Sequence, residues 1–212
     1  MTSRERTSVP VAAILVRHAH PEVQPDRPAG VWPLRPEGWQ SAQALGRRLR
    51  AFGLLQVVTS DEVKAIQTGE ALIPKCDVTT DARFGEQGQG TVPFLPGDAF
   101  HERAIDHFRH PEERILGDET SSEAAARFDA AFRDVRGRHE DRVPVIVAHG
   151  RIISAWLVAH AVPGNDESVP AEALWASLRM PDAFLLRPHT GHADVGIPWT
   201  WERLAIAPEM EG

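Results

Sequence analysis

Val11-Ala-Ala-Ile-Leu-Val16 is an unbroken apolar run that passes directly into Arg17-His18. Its six residues fall far short of the ~20 that a membrane-spanning helix needs. The lack of polar residues at alternate positions marks a strand covered on both faces. A second such run, Val143-Pro-Val-Ile-Val-Ala148, passes into His149-Gly150. Two doubly covered strands need a layer above and a layer below, and the rest of the chain supplies candidates. From Pro36 to Phe52, apolar residues recur at Trp39, Ala42, Leu45, Leu49 and Phe52. That spacing is helical, Pro36 suits a first turn, and Gly53 stops the pattern.

Leu54 to Thr59 predicts a second strand, and Ser60 is placed to cap a helix opening with Asp61 and Glu62. Acids there favour the helix dipole; the helix is expected to reach about Ile73, where Pro74 ends it. Val78 suits a short strand, residues 80–97 an irregular segment, and residues 99–109 a short helix. Residues 119–140 predict a long helix with Ala125, Phe128, Ala131, Phe132 and Val135 on one face. A further helix is expected over 151–161, paired strands at 175–180 and 184–187, and a last strand over 199–206. Strands alternating with helices indicate an α/β three-layer sandwich, a mostly parallel central sheet with helices on both faces.

The chain has 212 residues. At ~150 residues per domain this favours one domain over 1–212, with 1–10 a frayed tail. A hydrophobic fraction of 42% and a charged fraction of 25% are those of a soluble globular protein, not of a disordered one. The net charge of -7 argues against a nucleic-acid coat and against binding to an anionic membrane. Cys76 is the one cysteine, which excludes an internal disulfide and a cysteine-rich zinc site. The start of the chain lacks the apolar core of a signal peptide, so a cytoplasmic protein is expected.

Both histidines lie where doubly covered strands end. In open α/β sheets, ligands gather at the carboxyl ends of the strands, so His18 and His149 are expected to share one edge. His149 also precedes a helix, whose first N–H groups and positive dipole end attract anions. With Arg17 added, an anion site is the reading. Either histidine alone reads better as an ordinary partly buried residue; the pair is what shifts the balance.

Several segments taken in order resemble the histidine phosphatase superfamily, the phosphoglycerate mutase-like proteins. Leu15-Val16-Arg17-His18 resembles the family's L-x-R-H signature, and Pro36-Glu37-Gly38-Trp39 with Ala42 and Ala44-Leu45-Gly46 its first helix. Thr59 to Thr68 resembles its S-x-x-x-R-A-x-Q-T segment and Phe84-Gly85-Glu86 its L-x-E. Gly117-Asp118-Glu119-Thr120 resembles its G-E-S helix start, and Ala148-His149-Gly150 its S-H-G motif. The matches span residues 11–187.

The resemblance implies a metal-independent phosphatase that needs no cofactor and acts on a small phosphorylated metabolite. His18 would attack phosphorus to give a phosphohistidine. Arg17, Lys64 and His149 would hold the phosphoryl oxygens, and Glu86 would protonate the leaving group and later assist water. On spacing alone, Glu86 reads equally as a solvated loop carboxylate. Gly150 and Arg151, at the start of the last-named helix, are further binding candidates. Gln24 falls where mutases of the family place a phosphate-binding Asn.

Lys64 departs from the family's second arginine, losing the planar fork while keeping the charge. It reads either as a pocket cation or as a solvated helix residue. Arg151 reads either as a replacement guanidinium or as a solvent-facing side chain. His101, Arg103, His107, Arg109, His110 and Arg114 form a locally basic stretch, a substrate contact or a solvated helix face. Three alternatives accompany the phosphatase: a phosphoglycerate-type mutase, a non-catalytic phosphate-binding relative, and a metal hydrolase using His18-x-His20. The absence of the long insertions usual in such mutases favours hydrolysis. Neither a nucleic acid nor a membrane is expected as a partner, and the sequence sets no oligomeric state.

Overall fold

The computed structural model describes residues 9–88, 94–138, 141–164, 167–189 and 198–205. Seven strands form one sheet. They are β1 (Ala13–Arg17), β2 (Leu55–Thr59), β3 (Val78–Thr80), β4 (Val143–Ala148), β5 (Ala161–Pro163), β6 (Asp182–Pro188) and β7 (Trp199–Arg203). Their order across the sheet is β3-β2-β4-β1-β6-β7-β5. β3, β2, β4 and β1 run parallel, and β6 is antiparallel to both of its neighbours. Among the described residues six α-helices accompany them: α1 (Pro36–Leu49), α2 (Val63–Leu72), α3 (Gly97–Arg109), α4 (Ser121–Arg138), α5 (Gly150–His160) and α6 (Ala171–Ser177).

The sandwich follows from strand alternation. Ile14 and Val16 of β1, with Val145 and Val147 of β4, pack against Leu45 and Leu49 of α1 and Leu72 of α2. Ala13 and Leu15, with Ile146 and Ala148, face the other way, into Phe128 and Phe132 of α4 and Ile152 and Trp156 of α5. The apolar runs are therefore strands with two dry faces, as their composition demands.

Three expectations are corrected. Trp175 is helical, not in a strand paired with 184–187: Pro170 opens α6 and Ala171-Glu-Ala-Leu174 favour the helix, burying Leu174. β6 pairs instead with β1 and β7. The second helix starts at Val63 with Glu62 in the capping position; Ser60 Oγ accepts the Glu62 N–H at 3.4 Å just ahead of it. The long helix starts at Ser121, where Thr120 and Glu123 bond reciprocally: Glu123 N–H donates to Thr120 Oγ1 at 3.1 Å and Thr120 N–H to Glu123 Oε2 at 2.9 Å. That is a capping box. Gly53 ends the first helical segment with φ of 101°, which a side chain would oppose. The expected helix over 119–140 and strand over 199–206 extend at their ends beyond the described residues.

The register of the parallel strands brings the chemistry together. Arg17 pairs with Ala148, and Thr59 pairs with Val147. The residues that follow, His18, Ser60 and His149, therefore leave the sheet side by side at one edge.

Candidate active site

His18 is 7% exposed, and its N–H donates to the carbonyl of Ala148 at 2.9 Å. Its Nδ1 lies 2.8 Å from the carbonyl of Ala19. A carbonyl only accepts, so Nδ1 carries the hydrogen and the neutral ring keeps its lone pair on Nε2. Burial, then His149, Lys64 and Arg17, push the His18 pKa well below its usual value. The ring is therefore neutral at neutral pH, as a nucleophile must be. The next residue is also tied down: Ala19 N–H donates to Thr68 Oγ1 at 3.0 Å, and that hydroxyl donates to the Lys64 carbonyl at 2.6 Å.

The ring of His149 lies 5.2 Å from that of His18, centroid to centroid, and is buried at the N-terminus of α5. Its Nε2 sits 2.7 Å from Ser60 Oγ and 3.2 Å from Glu62 Oε1. Its Nδ1 is buried without a partner among the described residues. Burial first, and then the charge of Lys64, depress its pKa well below the usual value, against the pull of Glu86.

Arg17 donates from one guanidinium nitrogen to the carbonyl of Leu178 at 3.0 Å. A Cβ on Gly150 would stand 3.0 Å from Arg17 Nε and 3.2 Å from Trp175 Cδ1. The missing side chain lets the guanidinium lie against the first turn of α5. Lys64 is 5% exposed, so the solvated reading fails. Its Nζ donates to the carbonyl of Ala29 at 2.8 Å and pairs with Glu62 Oε2.

Glu86 follows a single 3-10 turn at Ala82–Phe84, and it is not a solvated loop residue. Its side chain is 7% exposed and accepts N–H groups from Gln87, Arg151 and Ile152 at 3.1, 3.2 and 3.0 Å. Burial alone would raise its pKa. The charge of Arg151 first, then the His149 ring and the Gln87 N–H, outweigh burial and hold it below the usual carboxylate range. Arg151 is buried, with Nε 3.5 Å from Glu86 Oε2 and its guanidinium 5.3 Å over the Phe100 ring. It does not point to solvent, and its nearest charged neighbour is Glu86.

Gln24 is not drawn in. Its carboxamide oxygen accepts from Arg27 at 3.2 Å in an exposed contact. The basic stretch is mostly a solvated face, with Arg109 and Arg114 near Glu172 and Glu123. His107 is the exception, fully buried, with neither ring nitrogen bonded among the described residues. Burial and the nearby Arg151 lower its pKa to about 4. His20 directs Nδ1 to the Met180 carbonyl at 2.9 Å. Among the described residues no group of three or more His, Cys, Asp or Glu is arranged around a metal position.

Two members of the site are not anticipated from sequence: Ser60 as the partner of His149, and Glu62 as a half-buried carboxylate beside it. Both sit within Ser60-Asp61-Glu62-Val63-Lys64, directly after a strand that ends beside the histidines. That adjacency is the signal that finds them.

A family model described as the histidine phosphatase superfamily (branch 1) matches residues 13–170. Among curated proteins, a probable phosphoglycerate mutase GpmB of Salmonella paratyphi A is 29% identical over 133 residues, 56% of this chain and 58% of that protein. Its counterpart in Proteus mirabilis is 29% identical over 127 residues, with the same shares covered. The chain thus spans a little over half the length of these relatives. Among solved structures, a phosphoserine phosphatase from Entamoeba histolytica in complex with 3-phosphoglyceric acid superposes with a TM-score of 0.66 at 16% identity, covering 92% of this chain and 97% of that one. A mycobacterial glucosyl-3-phosphoglycerate phosphatase complexed with VO3 does so with a TM-score of 0.64 at 22% identity and the same coverage. At these identities the structural likeness is one of fold.

Proposed function

The chain belongs to the histidine phosphatase superfamily, and on that footing we propose that it hydrolyses phosphomonoesters of small metabolites, without a metal, through a phosphohistidine on His18. The observation that carries this reading is the hydrogen bond from His18 Nδ1 to the Ala19 carbonyl, which leaves Nε2 with its lone pair. The phosphoryl group is held by Arg17, Lys64, His149 and the Gly150 N–H. Their positive and partly positive groups offset the charge that develops on the equatorial oxygens. Nε2 attacks phosphorus, the ester P–O bond breaks, and the leaving oxygen keeps the electron pair.

Glu86 is a carboxylate in the resting site, so it must gain a proton before it can give one. An incoming phosphoryl dianion supplies the reason, because nearby negative charge raises a carboxyl pKa. Glu86 then protonates the leaving oxygen and is again a carboxylate. In the second step it takes a proton from water as the water oxygen bonds to phosphorus. The P–N bond breaks and its electron pair returns to Nε2, which releases inorganic phosphate.

The structural neighbours that are phosphatases support hydrolysis. The curated relatives named as probable mutases favour a second reading, transfer of the phosphoryl group between positions of one phosphoglycerate. A cytoplasmic setting is part of the proposal; no helix among the described residues is long and apolar enough to cross a membrane. The test is a screen of phosphorylated metabolites with wild type and His18→Ala, run with and without EDTA. Phosphate release that needs His18 and ignores EDTA is expected. Isomerised phosphoglycerate without phosphate release would establish the mutase. Full activity in a folded His18→Ala protein would overturn both.

A further inference from the structure

Glu62 has no part in that scheme, and its place calls for one. It is a carboxylate, 13% exposed, inside a pocket that receives an anion. Neutralising Lys64 is an insufficient account, because Lys64 occupies only Oε2. Oε1 lies 3.2 Å from His149 Nε2 and also accepts the Glu86 N–H at 3.2 Å.

Building on the phosphatase reading, we propose that Glu62 is a positioning residue that fixes His149 as the Nε2–H tautomer in the empty site and holds it as an imidazolium when a phosphoryl group binds, so that the ring itself takes up a proton on binding. The first half follows from donor and acceptor inventory. Ser60 Oγ can donate or accept, so it cannot choose the tautomer of the ring beside it. A carboxylate oxygen 3.2 Å from Nε2 repels a lone pair there and favours a hydrogen, which Ser60 Oγ at 2.7 Å then accepts. The Nδ1 lone pair is then the face of the ring left for the pocket, and Nδ1 is the nitrogen that is buried without a partner among the described residues.

The second half follows from charge. A lone pair repels a phosphoryl oxygen, whereas a protonated Nδ1 donates to it. The groups that bear on His149 come from every neighbouring element: Arg17 and His18 from the end of β1, Ser60, Glu62 and Lys64 from the segment between β2 and α2, Glu86 after β3, and Arg151 from α5. The three cations and burial keep the ring neutral while the site is empty. A bound dianion adds negative charge on the Nδ1 side, while Glu62 already supplies it on the Nε2 side. The ring between them then charges, in the manner of a carboxylate that steadies a catalytic imidazolium.

The experiment reads the imidazole nitrogens of His149 by ¹⁵N NMR in wild type and Glu62→Gln, free and with vanadate, alongside inhibition by vanadate. Wild type should show the neutral Nε2–H form when free and a doubly protonated ring with vanadate. Glu62→Gln should leave the ring neutral with vanadate bound and weaken inhibition by about 10–100-fold, the range for a lost charge-assisted hydrogen bond. The Nδ1–H form in free wild type would overturn the proposal without needing a variant. Tighter vanadate binding in Glu62→Gln would also overturn it, since that is what removing a mere repellent charge gives. If wild type neither binds vanadate nor turns over, the phosphatase reading fails, and proton uptake with it; the tautomer of the free protein still decides what Glu62 does in the resting site.

Discussion

Two cation–carboxylate pairs flank the histidines, and they are anchored differently. In the pair Arg151–Glu86, the carboxylate is gripped by three backbone N–H groups, two of them from the first turn of α5. Those donors cannot change charge and hardly move. In the pair Lys64–Glu62, the carboxylate accepts one backbone N–H, that of Glu86, and otherwise meets two side chains, Lys64 and His149, of which the imidazole can change its charge with what the site holds. A carboxylate on backbone amides holds a place in the site; a carboxylate on an imidazole responds to what the site contains. Two glutamates, linked by the bond from the Glu86 N–H to Glu62 Oε1, are thereby given different tasks.

The largest effect expected is common to both pairs. His18→Ala removes the nucleophile that they serve and should cut turnover by roughly 10⁴-fold or more, with the fold retained by circular dichroism. Glu86→Gln comes next and tests the backbone-anchored pair. It should cost about 10²–10⁴-fold on alkyl phosphates, and much less on a nitrophenyl phosphate, whose leaving group hardly needs a proton. Equal losses on the two substrates would take the acid role from Glu86.

The cations separate the pairs more finely. Lys64→Ala removes a phosphoryl contact and should lower kcat/KM by about 10–100-fold on every substrate alike. Arg151→Ala acts through Glu86, so its losses should follow the leaving group, larger for alkyl than for nitrophenyl esters. The same pattern in both variants would erase the distinction drawn above. The smallest effect concerns stability. The folded pKa of His107, about 4, lies below the ordinary 6.5. Unfolding therefore takes up a proton between those values, and the protein should lose stability as pH falls from about 6.5 to 4. His107→Leu should remove much of that slope from the pH–Tm curve.

The parts of the fold that can be read from sequence are those with one dominant physical constraint. Up to Val16 in β1 and throughout β4 there is no polar residue to offer solvent, so they can only be central strands, and their ends deliver Arg17, His18 and His149. The α1 stripe is equally plain. Trp175 misleads because an aromatic residue among leucines suits a strand as well as a helix, and only the contacts of Leu174 decide. Glu62 misleads for another reason. An acid before a helix has a sufficient local explanation in the dipole, and nothing local says that β2 lies beside β4, which is what carries Glu62 to His149. Lys64 and Arg151 show the same limit: burial decides each, and burial is a property of the assembled sheet edge.

The bonds from Ala19 to Thr68 and from Thr68 to Lys64 also have a meaning in time. They make the nucleophile's loop and the pocket's lysine parts of one rigid body rather than two segments that meet by diffusion. The amide of Ala19 can exchange its hydrogen with water only when that body comes apart. Its exchange rate is therefore a clock for opening of the whole site, and it runs whether or not a substrate has been found.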